Sequence, residues 1–163
     1  MSQLISDSAV LDDAWTLLAD DAALPASGQV IVSWDRWNAE RAALEASTLQ
    51  IGLSLPNTLD VVAVLAELLA RPLLALNFPS FADGRAYSQA TLLRRRHRYA
   101  GELRATGQAV VRDQLQLMRS CGFDTFLLRA DQDAVTCLAS FHDMSIAYQP
   151  NLLHISGLRP GKH

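Results

Sequence analysis

The densest grouping of chemically useful side chains is Phe78-Pro79-Ser80-Phe81-Ala82-Asp83-Gly84-Arg85. Asp83-Gly84-Arg85 opens an expected helix, where free N–H groups and a guanidinium can hold a small anion. The plainer reading is a helix cap beside an exposed arginine. Glu102 and Arg104 stand two apart on an expected strand, so both point to one face while Leu103 and Ala105 point to the other. They mark either an edge strand with one wet face or an internal polar network, and ion pairs of that kind often serve only structure. Asp113 and Gln114 fall in the first turn of the helix after Gly107, where a carboxylate complements the helix dipole and an amide can reach the strand ends. Asp113 is also a partner for Arg85 or Arg104. Together Asp83, Gly84, Arg85, Glu102, Arg104, Asp113 and Gln114 are the candidate ligand-binding set, with Asp83-Gly84-Arg85 expected to face Glu102, Arg104 and Asp113 across neighbouring strand ends.

Arg94, Arg95, Arg96 and Arg98, with His97 among them, form the densest charge run, on the final turn of their helix, where cations suit the negative end of the dipole. This run reads as a solvated face or as a docking patch for an acidic protein surface.

Other signatures do not occur. The sequence contains no GxGxxG, GxxxxGK[ST], GxSxG or HExxH, and His97, His142, His154 and His163 lack metal-ligand spacing. Cys121 and Cys137 form no CxxC pair, and both are expected reduced and packed on helices. No metal, no cofactor and no catalytic residue is therefore assigned.

The elements that must position these groups follow from periodicity. Strands are expected at Gln29 to Ser33, Leu49 to Leu53, Leu73 to Phe78, Glu102 to Thr106 and Asp124 to Leu128. Helices are expected at Trp34 to Ala46, Leu59 to Ala70, Gly84 to His97, Val110 to Cys121 and Asp131 to about His142. The helix Leu59 to Ala70 is apolar nearly all round, so it is buried between layers or forms a subunit contact in a homo-oligomer. Alternating strands and helices with short connections predict an α/β domain, its sheet mainly parallel and of about five strands. An open three-layer sheet is the first expectation; a partial barrel completed by a second subunit is the alternative. Residues 1–28 read as an acidic arm packed through Trp15, Leu17 and Leu18. Residues 29–149 form the α/β domain, and 150–163 a tail.

Half of the 163 residues are hydrophobic and 19% are charged, which suits one compact core. Residues 1–70 carry a net charge of −8 and residues 71–129 a net +6, within a total of −3. That asymmetry favours an anionic ligand or an acidic partner near the middle segment. A sequence pI of about 5.7 argues against a nucleic-acid partner. Met1 to Asp13 contains no Lys or Arg, and the longest apolar run, Val61 to Ala70, is too short to span a bilayer, so a soluble cytoplasmic protein without a membrane partner is expected.

One wider pattern remains. It comprises Trp15-x-x-Leu18-Ala19-Asp20-Asp21, Trp37-x-x-Glu40-Arg41, Phe78-Pro79-x-Phe81-x-Asp83-Gly84-Arg85-x-Tyr87-Ser88, Gly101-Glu102-Leu103-Arg104-Ala105-x-Gly107, Asp113-Gln114 and Cys121-Gly122-Phe123-Asp124. Taken together, from Trp15 to about Gln149, this resembles the bacterial DUF934 family. Arg98 stands where the pattern has a glycine, and Gln108 to Arg112 is one residue longer than usual. The resemblance implies an accessory role in assimilatory sulfite reduction, beside the haemoprotein subunit of sulfite reductase, and it identifies no catalytic residue. A small anion-binding enzyme or oxidoreductase of sulfur metabolism is the alternative.

Overall fold

The computed structural model describes residues 2–142, so the expected tail and the end of the α/β domain lie outside the described residues. The chain forms one α/β domain around an eight-stranded sheet rather than the five strands expected. The five expected strands are present as β4 (Gln29–Ser33), β5 (Gln50–Leu55), β6 (Leu73–Phe78), β7 (Glu102–Gly107) and β8 (Thr125–Leu127). The additional three, β1 (Leu4–Ile5), β2 (Val10–Leu11) and β3 (Trp15–Leu17), come from the acidic arm. Strands of two or three residues are too short to show a period of two, and tertiary pairing alone makes them.

The sheet order is β2-β1-β8-β7-β6-β5-β4-β3, with every pair from β3 to β8 parallel and the pairs made by β1 antiparallel. Successive parallel strands are therefore neighbours, and right-handed crossovers that always step the same way place all their helices on one face. Helices α1 (Trp34–Ala46), α2 (Leu65–Leu69), α3 (Arg85–Thr91) and α4 (Arg112–Cys121), with the helical stretch 134–142, do so. One core joins Trp37, Leu44, Leu68, Ala90, Leu115 and Phe141 to the outward side chains of the strands, such as Val32, Leu53, Leu74, Leu103 and Phe126. Each large apolar side chain buried there contributes roughly 1.5–3 kcal/mol.

The opposite face is concave. β2 and β3 are the two outermost strands of the sheet, yet only residues 12–14 separate them in sequence. A flat sheet of eight strands spans about 34 Å at about 4.8 Å per neighbour, whereas the four steps from Leu11 to Trp15 reach at most about 14 Å. The sheet must curl. The result is a half-barrel whose open side is crossed by the chain's own Asp12–Ala14, and the open three-layer arrangement is corrected to two layers with helices outside. Ile31, Leu73 and Ala75, covered by Trp15, form the small inner core. Leu17, expected to pack, is instead 69% exposed at the rim.

Two expected helices are broken. Over Leu59 to Ala70 only Leu65–Leu69 is α-helical, because the Asp60 carboxylate accepts from the N–H groups of Val62 and Ala63 and holds a turn there. Val62 and Leu69 are exposed while Leu68 is fully buried, so the segment is not a uniformly apolar rod. Gly84 to His97 divides into α3 and a π-helical turn, Leu92–Arg96. Beyond it Arg98 adopts φ 54°, the single left-handed non-glycine residue among those described. A left-handed L-residue costs about 1–2 kcal/mol, and glycine returns roughly half of that through its freer unfolded chain. Arg98→Gly is therefore expected to raise stability by about 0.5–1 kcal/mol in urea unfolding; a loss would mean the Arg98 side chain makes contacts that outweigh its backbone cost. No helix of the described residues is long and apolar enough to cross a membrane.

Candidate functional site

Inward side chains of the curled sheet lie in tiers set by the strand register. Ile31, Gly52, Leu73 and Glu102 make one tier, above the Gln29 and Gln50 pair; Ser33, Ser54, Ala75, Arg104 and Thr125 make the next; Asn77 and Thr106 stand above them. Gly52 leaves room for Leu73, whose Cβ would lie 3.1 Å from any Cβ added at Gly52.

Arg104 occupies the middle tier at 3% exposure. Its Nη1 donates to Asp13 Oδ2 at 2.9 Å, and its Nη2 and Nε donate to Glu102 Oε2 at 3.1 and 3.2 Å. Thr125 Oγ1 donates to the same Glu102 oxygen at 2.7 Å. Asp13 also accepts from the Trp15 N–H at 3.0 Å. The network thus fastens the crossing segment to the floor of the half-barrel. Glu102 and Arg104 share a face as expected, and the internal network, rather than a wet edge, is what they form, since β7 lies between β6 and β8.

Above this floor, at the carboxyl ends of β3 to β7, lies a cavity of about 390 Å³. Ligands in parallel α/β sheets collect at strand carboxyl ends. Leu17, Leu55, Trp34 and Pro56 supply apolar wall, while Ser33, Asp35, Ser54, Asn77 and Thr106 supply polar groups. Two of the hydroxyls are partly committed: Ser33 Oγ donates to Asp20 at 2.7 Å and accepts from Arg36 N, capping α1, and Thr106 Oγ1 donates to the Leu76 carbonyl at 3.2 Å. Buried Arg36 holds the rim segment in place by donating to the carbonyls of Ala19 and Ala22 and to Glu40.

The residues expected to share one pocket fall into separate groups. Arg85 forks onto Asp83 through Nε at 2.9 Å and Nη2 at 2.6 Å, with the Arg85 side chain 59% exposed. The Arg85 guanidinium, and after it the Asn57 amide, hold the Asp83 carboxyl well below the usual carboxylate range. Gly84 precedes α3 with φ −93°. Asp113 is exposed in the first turn of α4, and Gln114 accepts from the Tyr87 hydroxyl at 2.7 Å. Among the described residues no hydrogen bond or ion pair joins Asp83 or Arg85 to Glu102, Arg104 or Asp113. A second fork, Arg129 onto Asp131, repeats the first nearby and brings the Asp131 carboxyl down to about 2.

The arginine run divides too. Arg94 is an internal clamp: it donates to the carbonyls of Gly122, Tyr99 and Gly101 and pairs with Asp124, whose carboxylate also accepts from Leu103 N–H. Arg95 donates to the Ser120 carbonyl, while Arg95, Arg96 and Arg98 lie exposed on the outer face. Cys121 is half-buried and Cys137 buried, and burial pushes the Cys137 thiol up. No group of three or more potential metal ligands occurs among the described residues.

Sequence reasoning missed Asp13 and Thr125 in the floor network and Asn77 at the mouth; Ser33, Ser54 and Thr106 lie in strand-end segments where ligands of open α/β sheets are expected, though none of the three was singled out. The signal at the mouth was position: Ser33, Ser54, Asn77 and Thr106 are small polar residues at, or one before, the last position of their strands.

No curated protein and no solved structure matches the chain. Residues 52–157, more than half of it, match the family described as bacterial protein of unknown function (DUF934), and the chain, with its half-barrel and Arg104 floor, belongs to that family.

Proposed function

We propose that the protein is a cytoplasmic accessory protein of assimilatory sulfite reduction that docks on an acidic surface of the sulfite reductase haemoprotein. The context comes from the family resemblance; the observation that carries the docking mode is the outer basic face. Arg95, Arg96 and Arg98 are exposed together, and Arg96 and Arg98 make no ion pair with another described residue. Clusters of this kind speed and orient encounter with an acidic partner, and their effect is screened by salt. Free thiols at Cys121 and Cys137 suit a reducing compartment. A small anion-binding enzyme or oxidoreductase is the weaker reading, because Arg85 and Arg104 are already neutralised by Asp83, Glu102 and Asp13.

Affinity capture of the full chain from its native host at low and at moderate salt tests the docking. The haemoprotein is expected in the low-salt eluate, diminished at moderate salt, and lost when Arg95, Arg96 and Arg98 are all replaced by Glu. Persistent absence of reductase subunits, or capture untouched by the charge reversal, overturns it.

A further inference from the structure

We infer that the mouth of the half-barrel is a binding site for a small hydroxylated organic cation of about amino-sugar size. Its volume of about 390 Å³ lies within the range of small-ligand pockets. The charge of its lining is one-sided: Asp35 is present and no Lys, Arg or His is. Behind the wall, Asp20 accepts from Ser33 and adds a second negative charge. An oxyanion entering there meets repulsion from both carboxylates and no guanidinium in the lining, since Arg104 in the tier beneath is already paired with Asp13 and Glu102, so this site is distinct in chemistry from the outer basic face.

The polar groups left open also fit. The side chains of Ser54, Asn77 and Asp35 make no hydrogen bond to another described residue, although all three line the cavity, and Thr106 Oγ1 has spent only its donor. Ser54 and Asn77 offer donors and acceptors to hydroxyls, and Asp35 offers an acceptor to an ammonium group. The Trp34 ring gives an apolar wall for a ring or carbon chain. Gly107 keeps the opposite rim open, because it has no side chain and turns at φ +105°. The tiers beneath are closed by Ala75 and Arg104, so a ligand seats on the rim residues and cannot pass through.

Three sugars of one pyranose skeleton separate charge from shape: glucosamine as cation, glucose as the neutral form and glucuronate as anion. Titration of the full chain with each, followed by amide chemical shifts, is expected to move residues 33–36, 54–55, 77 and 106–107. Glucosamine is expected to bind about fivefold tighter than glucose, the upper end for a partly exposed ion pair, with glucuronate weakest. Asp35→Asn should remove the glucosamine advantage and leave glucose unchanged, and Asn77→Ala should weaken both sugars. Absence of site-specific shifts with any of the three, shifts scattered over the whole acidic surface, or glucuronate binding as well as glucosamine overturns the inference. None of these outcomes bears on reductase capture.

Discussion

Arg104→Met is expected to lower the unfolding free energy by about 3 kcal/mol, the low end for breaking a buried ion pair. The low end applies because the partner side chains, Glu102 and Asp13, are 28% and 33% exposed and keep some water after the guanidinium is gone. Two effects add. Glu102 and Asp13 are left facing one another without a cation, and the crossing segment loses its anchor to the middle of the sheet. Hydrogen exchange should therefore quicken selectively over residues 10–17, since β2 and β3 are held near one another by that anchor. A companion variant in which Asp13→Asn and Glu102→Gln accompany Arg104→Met removes the leftover charges and should recover at least half of the loss, as neutral replacement of buried ionic groups often does. Urea unfolding measures all three proteins. A single variant within about 0.5 kcal/mol of wild type, the range of ordinary surface changes, would show that the floor network contributes no net stability.

The anchor explains why the sequence left the curl as the alternative to an open sheet while it showed the five central strands plainly. β6, Leu73–Phe78, reads as a covered strand because five of its six residues are buried, and that apolar run is visible without any partner. β1 to β3 are visible only through what they pair with. Closure depends on Asp13 meeting Arg104, 91 residues away, and nothing local in an Asp-rich arm announces such a partner. The shared face of Glu102 and Arg104 was legible from the strand period, but the choice between a wet edge and an internal network belonged to the sheet order.

The basic run taught the opposite lesson. Four arginines within five positions look alike on a helix, yet Arg94 alone turns inward, because Gly122 leaves space for it: a Cβ there would stand 2.7 Å from the Arg94 side chain. Asp124 and three carbonyls then hold the guanidinium. Gly122 directly follows the expected helix Val110 to Cys121, and its φ of +114° ends α4. Its second role, giving room to a residue from another helix, has no periodic signature. The Asp83-Gly84-Arg85 turn was similarly legible as a motif and not as a site, since the pair satisfies itself two residues apart.

Gly107→Ala tests the rim of the mouth and is expected to cost about 3 kcal/mol or more, the upper range for backbone strain at one residue. Two penalties coincide at this position. The residue turns at φ +105°, which an L side chain rarely adopts, and a Cβ would lie 2.4 Å from the Phe78 carbonyl oxygen and 2.5 Å from Asn77 Oδ1. Asn77 can rotate away; the Phe78 carbonyl cannot, because it accepts from Gln108 N–H at 2.8 Å at the end of the β6 and β7 pairing. Gly28→Ala is the matched control. It shares a positive φ of +114° but has nothing within 4 Å of the added carbon, so it carries the conformational penalty alone, about 1 kcal/mol. The difference between the two, read from urea midpoints at unchanged slope, isolates the steric part. Equal losses would mean that the backbone at the rim yields by several tenths of an ångström, and that the mouth is softer than its paired strands imply. A larger loss at Gly107, with quickened exchange at Gln108 and Arg129, locates the strain where Arg129 N–H reaches the Val110 carbonyl and its side chain the Gln108 carbonyl. The rim then behaves as a rigid frame around the cavity, the property a preformed binding mouth requires.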